Sequence, residues 1–478
     1  MSALVISRNV FSFDFSDSAN VKWRHASEAS RNESLAQSIE YFINDDKIAQ
    51  RFGHTLDPLL ADWIDVALAC YLADRLATRG TTLVDQPGRY WSRVLNLTVP
   101  VRQTDCWNNA EVQSDLVRLL HFFTEDAWHF EFVPRTAARR LAESQGFLFG
   151  FESGKRVRVS LYSGGLDSFA GAAQMLGEYP AHAHVFVSGV TNVRQQAAQR
   201  AQLRALQSKT RDKICHVIVP YGLRWAGAHV HRKEEASQRT RGFLFLTLGA
   251  VSAMAASATK LLLCENGVGA INLPYDGTQI GSYNSRATNP AALLRMEGFI
   301  RVLTKQEMAI ENPFLFYTKG EMCGQKLVKE LGEYLHLTFS CDGFPVRAKN
   351  RVQCGSCTSC LLRRQALECA GLSEFDQRGY LKDLLAPGFV GTQKQMHVLR
   401  AMDWQAQKIK SALAQPNSWE ALVDEFIELQ KLELEVCRAG KMQLSEFRAN
   451  LLRLYSRYTT EWESFSARQH CYGEKRMA

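Results

Sequence analysis

Hydrophobic and polar positions divide the chain into three stretches. In the first, residues 1–154, short alternating segments are interleaved with helical periodicity. Leu4-Val5-Ile6 and Phe11-Ser12-Phe13-Asp14-Phe15 read as strands, the second alternating cleanly. Asp57-Pro58 opens a helix, the aspartate as cap and the proline in the first turn, that runs to about Arg79. Tyr90 to Val99 is a predicted strand, Val112 to Phe123 a helix, and Trp128 to Val133 a strand ended by Pro134. No chemical constellation stands out, and His129 and the tryptophans alternate as packing residues do. The expectation is an α+β accessory domain that docks a partner or substrate, joined through Thr136 to Gly154.

In the second stretch, residues 155–386, apolar runs alternate with helical periods. Val157–Tyr162, His184–Gly189, Ile214–Val219 and Lys260–Cys264 are predicted strands. Helices are expected after the first, from about Val193 to Gln207, and from Gln238 to Ser257. Strands and helices in this alternation imply α/β architecture with a doubly wound parallel sheet, whose strand ends meet along one ligand-binding edge. Beyond Phe389 the third stretch, residues 387–478, is helical by pattern. Segments near 393–413, 419–438 and 444–469 carry apolar residues at i, i+3, i+4 and i+7. A bundle covering the catalytic domain and a partner-binding bundle both fit this pattern.

Composition narrows the class. The 478 residues are 46% apolar and 22% charged, as in a soluble globular protein of two or three domains. The net charge of +8 suits anionic ligands and equally an ordinary solvated surface; direct nucleic-acid binding is allowed but not favoured. Twelve cysteines without a signal-peptide pattern point to the reducing cytoplasm, where clustered thiols bind metal. The most apolar window, Phe243 to Ala256, is too short and too rich in Thr, Ser and Gly to span a bilayer.

Chemistry concentrates at Ser163-Gly164-Gly165-Leu166-Asp167-Ser168, a glycine turn between the first central strand and its helix. Unpaired N–H groups and the helix dipole make such a turn an anion site. Ser163 and Ser168 add hydroxyl donors, and Asp167 suits Mg2+ beside phosphates. No Gly-Lys-Ser/Thr follows, so this is not a Walker loop. Topology brings two more strand ends to the same edge: the backbone of Val187 and Ser188, a cradle for adenine, and Glu265-Asn266-Gly267, candidates for substrate contact. Arg232, Lys233, Arg239 and Arg241 cluster before the long helix. They are either solvated, or Arg239 and Arg241 hold phosphate or a substrate carboxylate. Thr318 and Glu321 form a capping box, and Lys319 between them opposes the helix dipole, which suggests a ligand such as pyrophosphate.

Cys341, Cys354, Cys357 and Cys360 have the spacing C-x12-C-x2-C-x2-C. Four thiolates so placed surround one tetrahedral Zn2+; an iron–sulfur cluster is the alternative, and the fourth cysteine favours zinc. A closed site of this kind is structural. The other cysteines are expected to be core, with a reactive role left open for Cys264 before the Glu265 turn.

The hexapeptide at Ser163 resembles the signature of the PP-loop, or N-type, ATP pyrophosphatases, of adenine nucleotide alpha hydrolase-like fold. With Asn312-Pro313, Thr318-Lys319, Ser340-Cys341 and Cys354-Gly355-Ser356-Cys357-Thr358-Ser359-Cys360-Leu361-Leu362-Arg363, it closely resembles the 7-cyano-7-deazaguanine synthase family from about Lys155 to Leu385. The resemblance implies ATP-dependent adenylation of a 7-deazaguanine acid, release of pyrophosphate and AMP, and formation of an amide and then a nitrile. It implies that residues 163–168 bind ATP phosphates, with Asp167, Ser168 and Lys319 in the chemistry, and that the four cysteines ligate zinc. Two features depart from the family. Its aspartate-rich aromatic segment after the fourth strand is here Glu265 to Asp276, and the flanking regions are additional. Extended forms resemble synthase-like components of bacterial anti-phage systems, of the Qat or type IV CBASS kind. That resemblance implies a protein partner from the same operon receiving the activated deazaguanine. A tRNA-thiolating PP-loop enzyme and a non-catalytic nucleotide-binding scaffold remain as alternative classes.

Overall fold

The computed structural model describes residues 8–14, 20–26, 37–79, 92–137, 139–144, 156–210, 214–224, 234–235, 237–275, 286–343, 352–376, 379–384 and 392–474. The strand expected at residues 4–6, the start of the one at 90–99, most of the junction 136–154, Arg232, Lys233 and Asp276 lie outside them.

Among the described residues, ten strands form one sheet: β1 (Arg8–Asp14), β2 (Asn20–Ala26), β3 (Gln37–Ile43), β4 (Val94–Val101), β5 (Ala127–Pro134), β6 (Val157–Leu161), β7 (Ala183–Val190), β8 (Ile214–Arg224), β9 (Lys260–Leu262) and β10 (Ala309–Glu311). Their order is β10-β9-β6-β7-β8-β3-β2-β1-β4-β5. The first five of that order are mutually parallel. Helices α1 (Pro58–Leu76), α2 (Ala110–Thr124), α3 (Leu166–Glu178), α4 (Val193–Lys209), α5 (Arg241–Ala255), α6 (Pro290–Thr304), α7 (Lys319–Cys323) and α8 (Thr358–Cys369) accompany the sheet. The chain leaves β6 through α3 on one face, while α5 returns from β8 to β9 across the other. The crevice between β6 and β9 is therefore the topological switch point of the sheet, the place where such folds bind ligands.

The described residues up to Pro134 extend this same sheet. β3 pairs antiparallel with β8, Glu40 opposite Arg224 and Ile43 opposite Tyr221. One apolar core runs beneath both halves, from Phe11 and Leu97 through α1, α5 and α6 to Val159 and Leu261. α1 is apolar on nearly every side because it is covered by neighbours on nearly every side. Trp63 meets Phe299 edge-on at 6.0 Å, and Tyr71 meets Tyr221 at 5.3 Å. Its cap is the expected one, with the Leu59 N–H donating to Asp57 at 2.8 Å. β2 and β3 are not evident in the alternation-based reading. They alternate only across a few positions, such as Val21 in one and Ile39 and Tyr41 in the other.

Two buried charge networks brace α1. At its C-terminal end Arg93 bridges Asp74 (2.5 Å) and Asp126 (2.6 Å), and Arg79 pairs with Asp126 at 2.7 Å. At the other end Arg102, Arg135 and Arg140 neutralise Asp45, Asp62, Asp65 and Glu143.

The last region forms α9 (Gln393–Leu413), α10 (Ser418–Glu425), α11 (Glu428–Arg438) and α12 (Leu444–Glu474). The single helix expected at 419–438 breaks at Phe426, whose extended backbone turns its ring into the core while Ile427 faces out. These helices share a core with Val268, Ile271, Leu273 and Tyr275 after β9 and with Leu361 and Leu362 of α8. No helix among the described residues is long and apolar enough to cross a membrane.

Candidate active site at the glycine turn

The turn at Ser163–Ser168 lies where β6 ends and α3 begins, on the ligand-binding edge. Gly164 has φ +84°, a region that excludes most side chains, and a Cβ there would meet Gln199 Cγ at 2.9 Å. The two serines lock the turn: the Ser163 hydroxyl donates to Ser168 Oγ (3.2 Å), and the Gly164 N–H donates to the same oxygen (3.1 Å). From α4, Gln199 Nε2 donates to the Ser163 carbonyl (3.0 Å) and Gln202 Nε2 to the Gly164 carbonyl (3.0 Å). Neither glutamine is marked in the sequence, because a polar helix offers no cue as to which amides turn inward. With its carbonyls held from behind, the turn presents the first-turn N–H groups of α3, which no intrahelical carbonyl can accept.

Asp167 stands at the centre of a buried polar group. One carboxylate oxygen accepts from Asn266 Nδ2 (3.0 Å), and the other pairs with the Lys319 ammonium (2.7 Å). Asn266 Nδ2 also donates to Glu265 (3.0 Å). Burial first, and then the charge of Asp167, push the Glu265 carboxyl up to about 8 despite Lys319. Burial opposes the charge on Lys319, but Asp167 and Glu265 outweigh it and hold the ammonium above its ordinary value. Three separate stretches of sequence thus bring Asp167, Glu265, Asn266 and Lys319 together. The Thr318–Glu321 capping box is formed on both sides, and it fixes the backbone that carries Lys319. Gly267 opens the next short helix, its N–H donating to the Tyr317 carbonyl at 2.8 Å. A Cβ on it would strike Leu315 O at 1.9 Å, so it serves packing.

Cys264 is not poised to react. Its thiol is packed against Gly171, where a Cβ would meet the sulfur at 2.6 Å. Burial, then Asp167 and Glu265, push its ionisation far above the ordinary thiol range.

A cavity of about 380 Å³ opens over the turn, lined by Ser163, Gly165, Ser168 and Glu265 and, across the edge, by Arg239 and Arg241. Val187 and Ser188 lie just below it: Val187 is fully buried, and the Ser188 hydroxyl donates to the Tyr162 carbonyl at 2.7 Å. The strand end that lines the cavity is Gly189 and Thr191. Arg239 is buried, and burial together with Arg79 pushes it down to about 10. Asp74 anchors the segment that carries it, accepting from the Thr240 N–H and hydroxyl, both at 2.9 Å.

The four cysteine sulfurs lie within 4.8 Å of one another. Cys354 and Cys360 are 3.9 Å apart, close to the roughly 3.8 Å that a tetrahedral ion with bonds of about 2.3 Å sets. The Cys354 N–H points at Cys341 Sγ (3.4 Å) and the Ser356 N–H at Cys354 Sγ (3.5 Å), donors that favour thiolate. Gly355, at φ +77°, lets the knuckle pass Lys382, whose carbonyl a Cβ would meet at 2.0 Å. The residues therefore fit zinc. The knuckle adjoins the cavity, since Cys341 lines it and the Phe339 N–H donates to the Gly164 carbonyl at 3.2 Å. Arg363 is fully buried and clamps the preceding segment through Thr338 Oγ1 (2.6 Å) and Leu335 O (3.0 Å).

A glycine turn at the switch point of a parallel sheet, beside a four-thiolate knuckle, defines an α/β protein of the PP-loop class. Residues 157–371 match the family described as Queuosine biosynthesis protein QueC. The chain is also similar to a 7-cyano-7-deazaguanine synthase of Methanothermobacter thermautotrophicus. The two are 25% identical over 235 residues, which span 45% of this chain and 96% of that protein. The central region is thus QueC-like, and the family match leaves residues 1–156 and 372–478 uncovered.

Proposed function

We propose that this protein is an ATP-dependent C–N bond-forming enzyme that adenylates the carboxylate of a 7-deazaguanine acid. The observation that carries the reading is the shared cavity, in which the serine–glycine turn, Glu265 and Cys341 line one space. In this reading ATP phosphates lie on the α3 N-terminus, with the ribose and base toward Gly189, Thr191 and Arg241. A substrate carboxylate oxygen attacks the α-phosphorus, the bond to the bridging oxygen of the β-phosphate breaks, and pyrophosphate leaves with both bonding electrons. No protein nucleophile is needed, so the chain contributes position and charge. Lys319 and the turn N–H groups bear on the departing pyrophosphate. Asp167 and Glu265, two buried carboxylates sharing one lysine, would hold Mg2+, which neutralises phosphate charge. The four cysteines would hold a structural Zn2+ that fixes the cavity wall. Ammonia as acceptor displaces AMP from the acyl adenylate to give the primary amide, and a second activation of that amide gives the nitrile; a substituted amine as acceptor stops at the amide.

Supporting an amine on a partner protein as acceptor, rather than ammonia, are the two flanking regions outside the family match. In this reading the chain acts in the cytoplasm, with a partner from its own operon and a role in anti-phage defence. Pyrophosphate and AMP should be released from ATP plus 7-carboxy-7-deazaguanine and lost in Asp167→Ala. Release with no candidate acid sinks the proposal. Intact mass of the co-expressed partner, with and without this chain, separates the acceptors by a fixed deazaguanine acyl gain.

A further inference from the structure

The segment that carries Lys319 is held from α12, a helix beyond residue 371, where the family match ends. Both side chains of the capping box at the head of α7 bond to it. The Thr318 hydroxyl accepts from the Glu321 N–H at 3.0 Å and donates to the Glu461 carboxylate at 2.9 Å. Glu321 in turn accepts from the Thr318 N–H at 2.8 Å and from the Arg453 guanidinium at 2.7 Å. Arg453, Arg457 and Glu461 follow one another at intervals of four residues, so one stripe of α12 meets the box from both sides.

Glu461 is the inner end of that stripe. It is 3% exposed, and the side chains bonded to its carboxylate are all donors: Thr318, Gln365 Nε2 of α8 (2.9 Å) and Arg457 Nε (2.9 Å). One acid thus joins the Lys319 segment, the helix of the cysteine knuckle and the C-terminal region. Gly320, next to Lys319, leaves the room for it. The three atoms nearest to a Cβ placed there, at 2.8 to 2.9 Å, all belong to the Glu461 carboxyl group. With its hydrogen committed to a buried acceptor, the Thr318 hydroxyl keeps its lone pairs for the Glu321 N–H, which sets the first turn of α7. From that turn Lys319 reaches Asp167 at 2.7 Å.

We infer that Glu461 is a positioning residue: through Thr318 it aims the Lys319 ammonium at Asp167 and at the departing pyrophosphate. This rests on the proposed adenylation and deepens it, since the C-terminal region then completes the site without touching a ligand. A displacement of about 1 Å is enough to slow such a step. Lys319 bears on charge that develops as pyrophosphate leaves, so the loss falls on kcat and not on KM.

Glu461→Gln keeps the size of the side chain but turns an amide NH2 toward partners that are themselves donors. Gly320→Ala leaves Glu461 and Thr318 in place and displaces only the carboxyl group, and alanine suits a helix, so this variant carries the test alone if the first does not fold. With the wild-type enzyme turning over 7-carboxy-7-deazaguanine, each variant should lower kcat for pyrophosphate release about tenfold and leave the KM for ATP and for the acid unchanged. In a Lys319→Met background neither should cause a further loss, because the group that they aim is gone. An unchanged kcat in both variants, or the same loss with and without Lys319, overturns the inference and leaves Glu461 a packing residue. A wild-type enzyme that releases no pyrophosphate counts against the adenylation reading instead. Crystal structures of the two variants then decide the positioning alone: Lys319 Nζ out of hydrogen-bond reach of Asp167 supports it, and the pair retained in both overturns it.

Discussion

The ammonium of Lys319 lies 2.7 Å from the carboxylate of Asp167, joining the first turns of α7 and α3 across the head of the sheet. Both side chains are nearly buried, and the same lysine answers Glu265. Replacing it with an uncharged chain of similar length leaves the buried Asp167 carboxylate, with the Glu265 carboxyl beside it, without its cation. Lys319→Met should lower the rate of pyrophosphate release on the order of 10²–10³-fold, as loss of a pre-positioned charge does. It should also destabilise the free protein by about 3–5 kcal/mol. Melting temperature and single-turnover release, measured on the same preparation, test both halves; a stable variant of full activity would remove Lys319 from the chemistry.

The Glu265 carboxyl gives the ligand-free protein a pH signature. It is pushed up to about 8 in the fold, against an ordinary value of 4.5 in the unfolded chain. Between those values the folded protein holds a proton that the unfolded chain has released. The stability this group contributes is therefore complete below its unfolded value and lost as pH rises through about 8. Without ATP or divalent cation, wild-type melting temperature should fall from about pH 5 to about pH 9 more steeply than that of Glu265→Gln. Parallel curves would show that the carboxyl titrates normally.

Zinc content should be about one ion per chain and should vanish in Cys357→Ser. The knuckle is tied to the glycine turn through Phe339 and Gly164, so loss of metal should loosen the turn as well. Chelation should thus weaken ATP binding in addition to lowering the melting temperature. Chelation that leaves ATP affinity unaltered would confine the metal to local folding.

The glycine turn, the cysteine knuckle and the parallel strands were legible because each is local: a few adjacent residues carry the turn, the ligand spacing or the alternation. What supports them is not local. Gln199 and Gln202 look like any surface amides until α4 is laid against the turn. Glu461 reads as one more acid on a long helix, yet it reaches Thr318 in a segment far away along the chain. Likewise β3, with only Ile39 and Tyr41 marking a buried face, gives no hint that its partner will be β8. The region read as an α+β accessory domain continues the central parallel sheet for that reason, since strand pairing is decided by register between distant segments.

That continuity makes a distant aspartate matter to the cavity. Asp74, fully buried on α1, accepts from the Thr240 backbone and hydroxyl and from Arg93, and so connects the segment carrying Arg239 to the Arg93–Asp126 pair. Burial alone would raise its ionisation, but Arg93, hydrogen bonds and Arg79 outweigh it and hold the carboxyl below its ordinary value. Its contribution to stability is thus present above the unfolded value of 3.8 and lost as pH falls through the lower folded one. Asp74→Ala leaves Arg93 half-neutralised in the core and should cost about 3–5 kcal/mol at neutral pH. Asp74→Asn keeps the volume and one acceptor oxygen, so it should cost less while still loosening Thr240 and Arg239. If Arg239 and Arg241 face the nucleotide, the Asn variant should raise the KM for ATP severalfold and leave the KM for the acid unchanged, although Asp74 touches neither ligand. An Asn variant that is less stable yet unaltered in its KM for ATP would separate the α1 network from the cavity and leave it a purely structural brace.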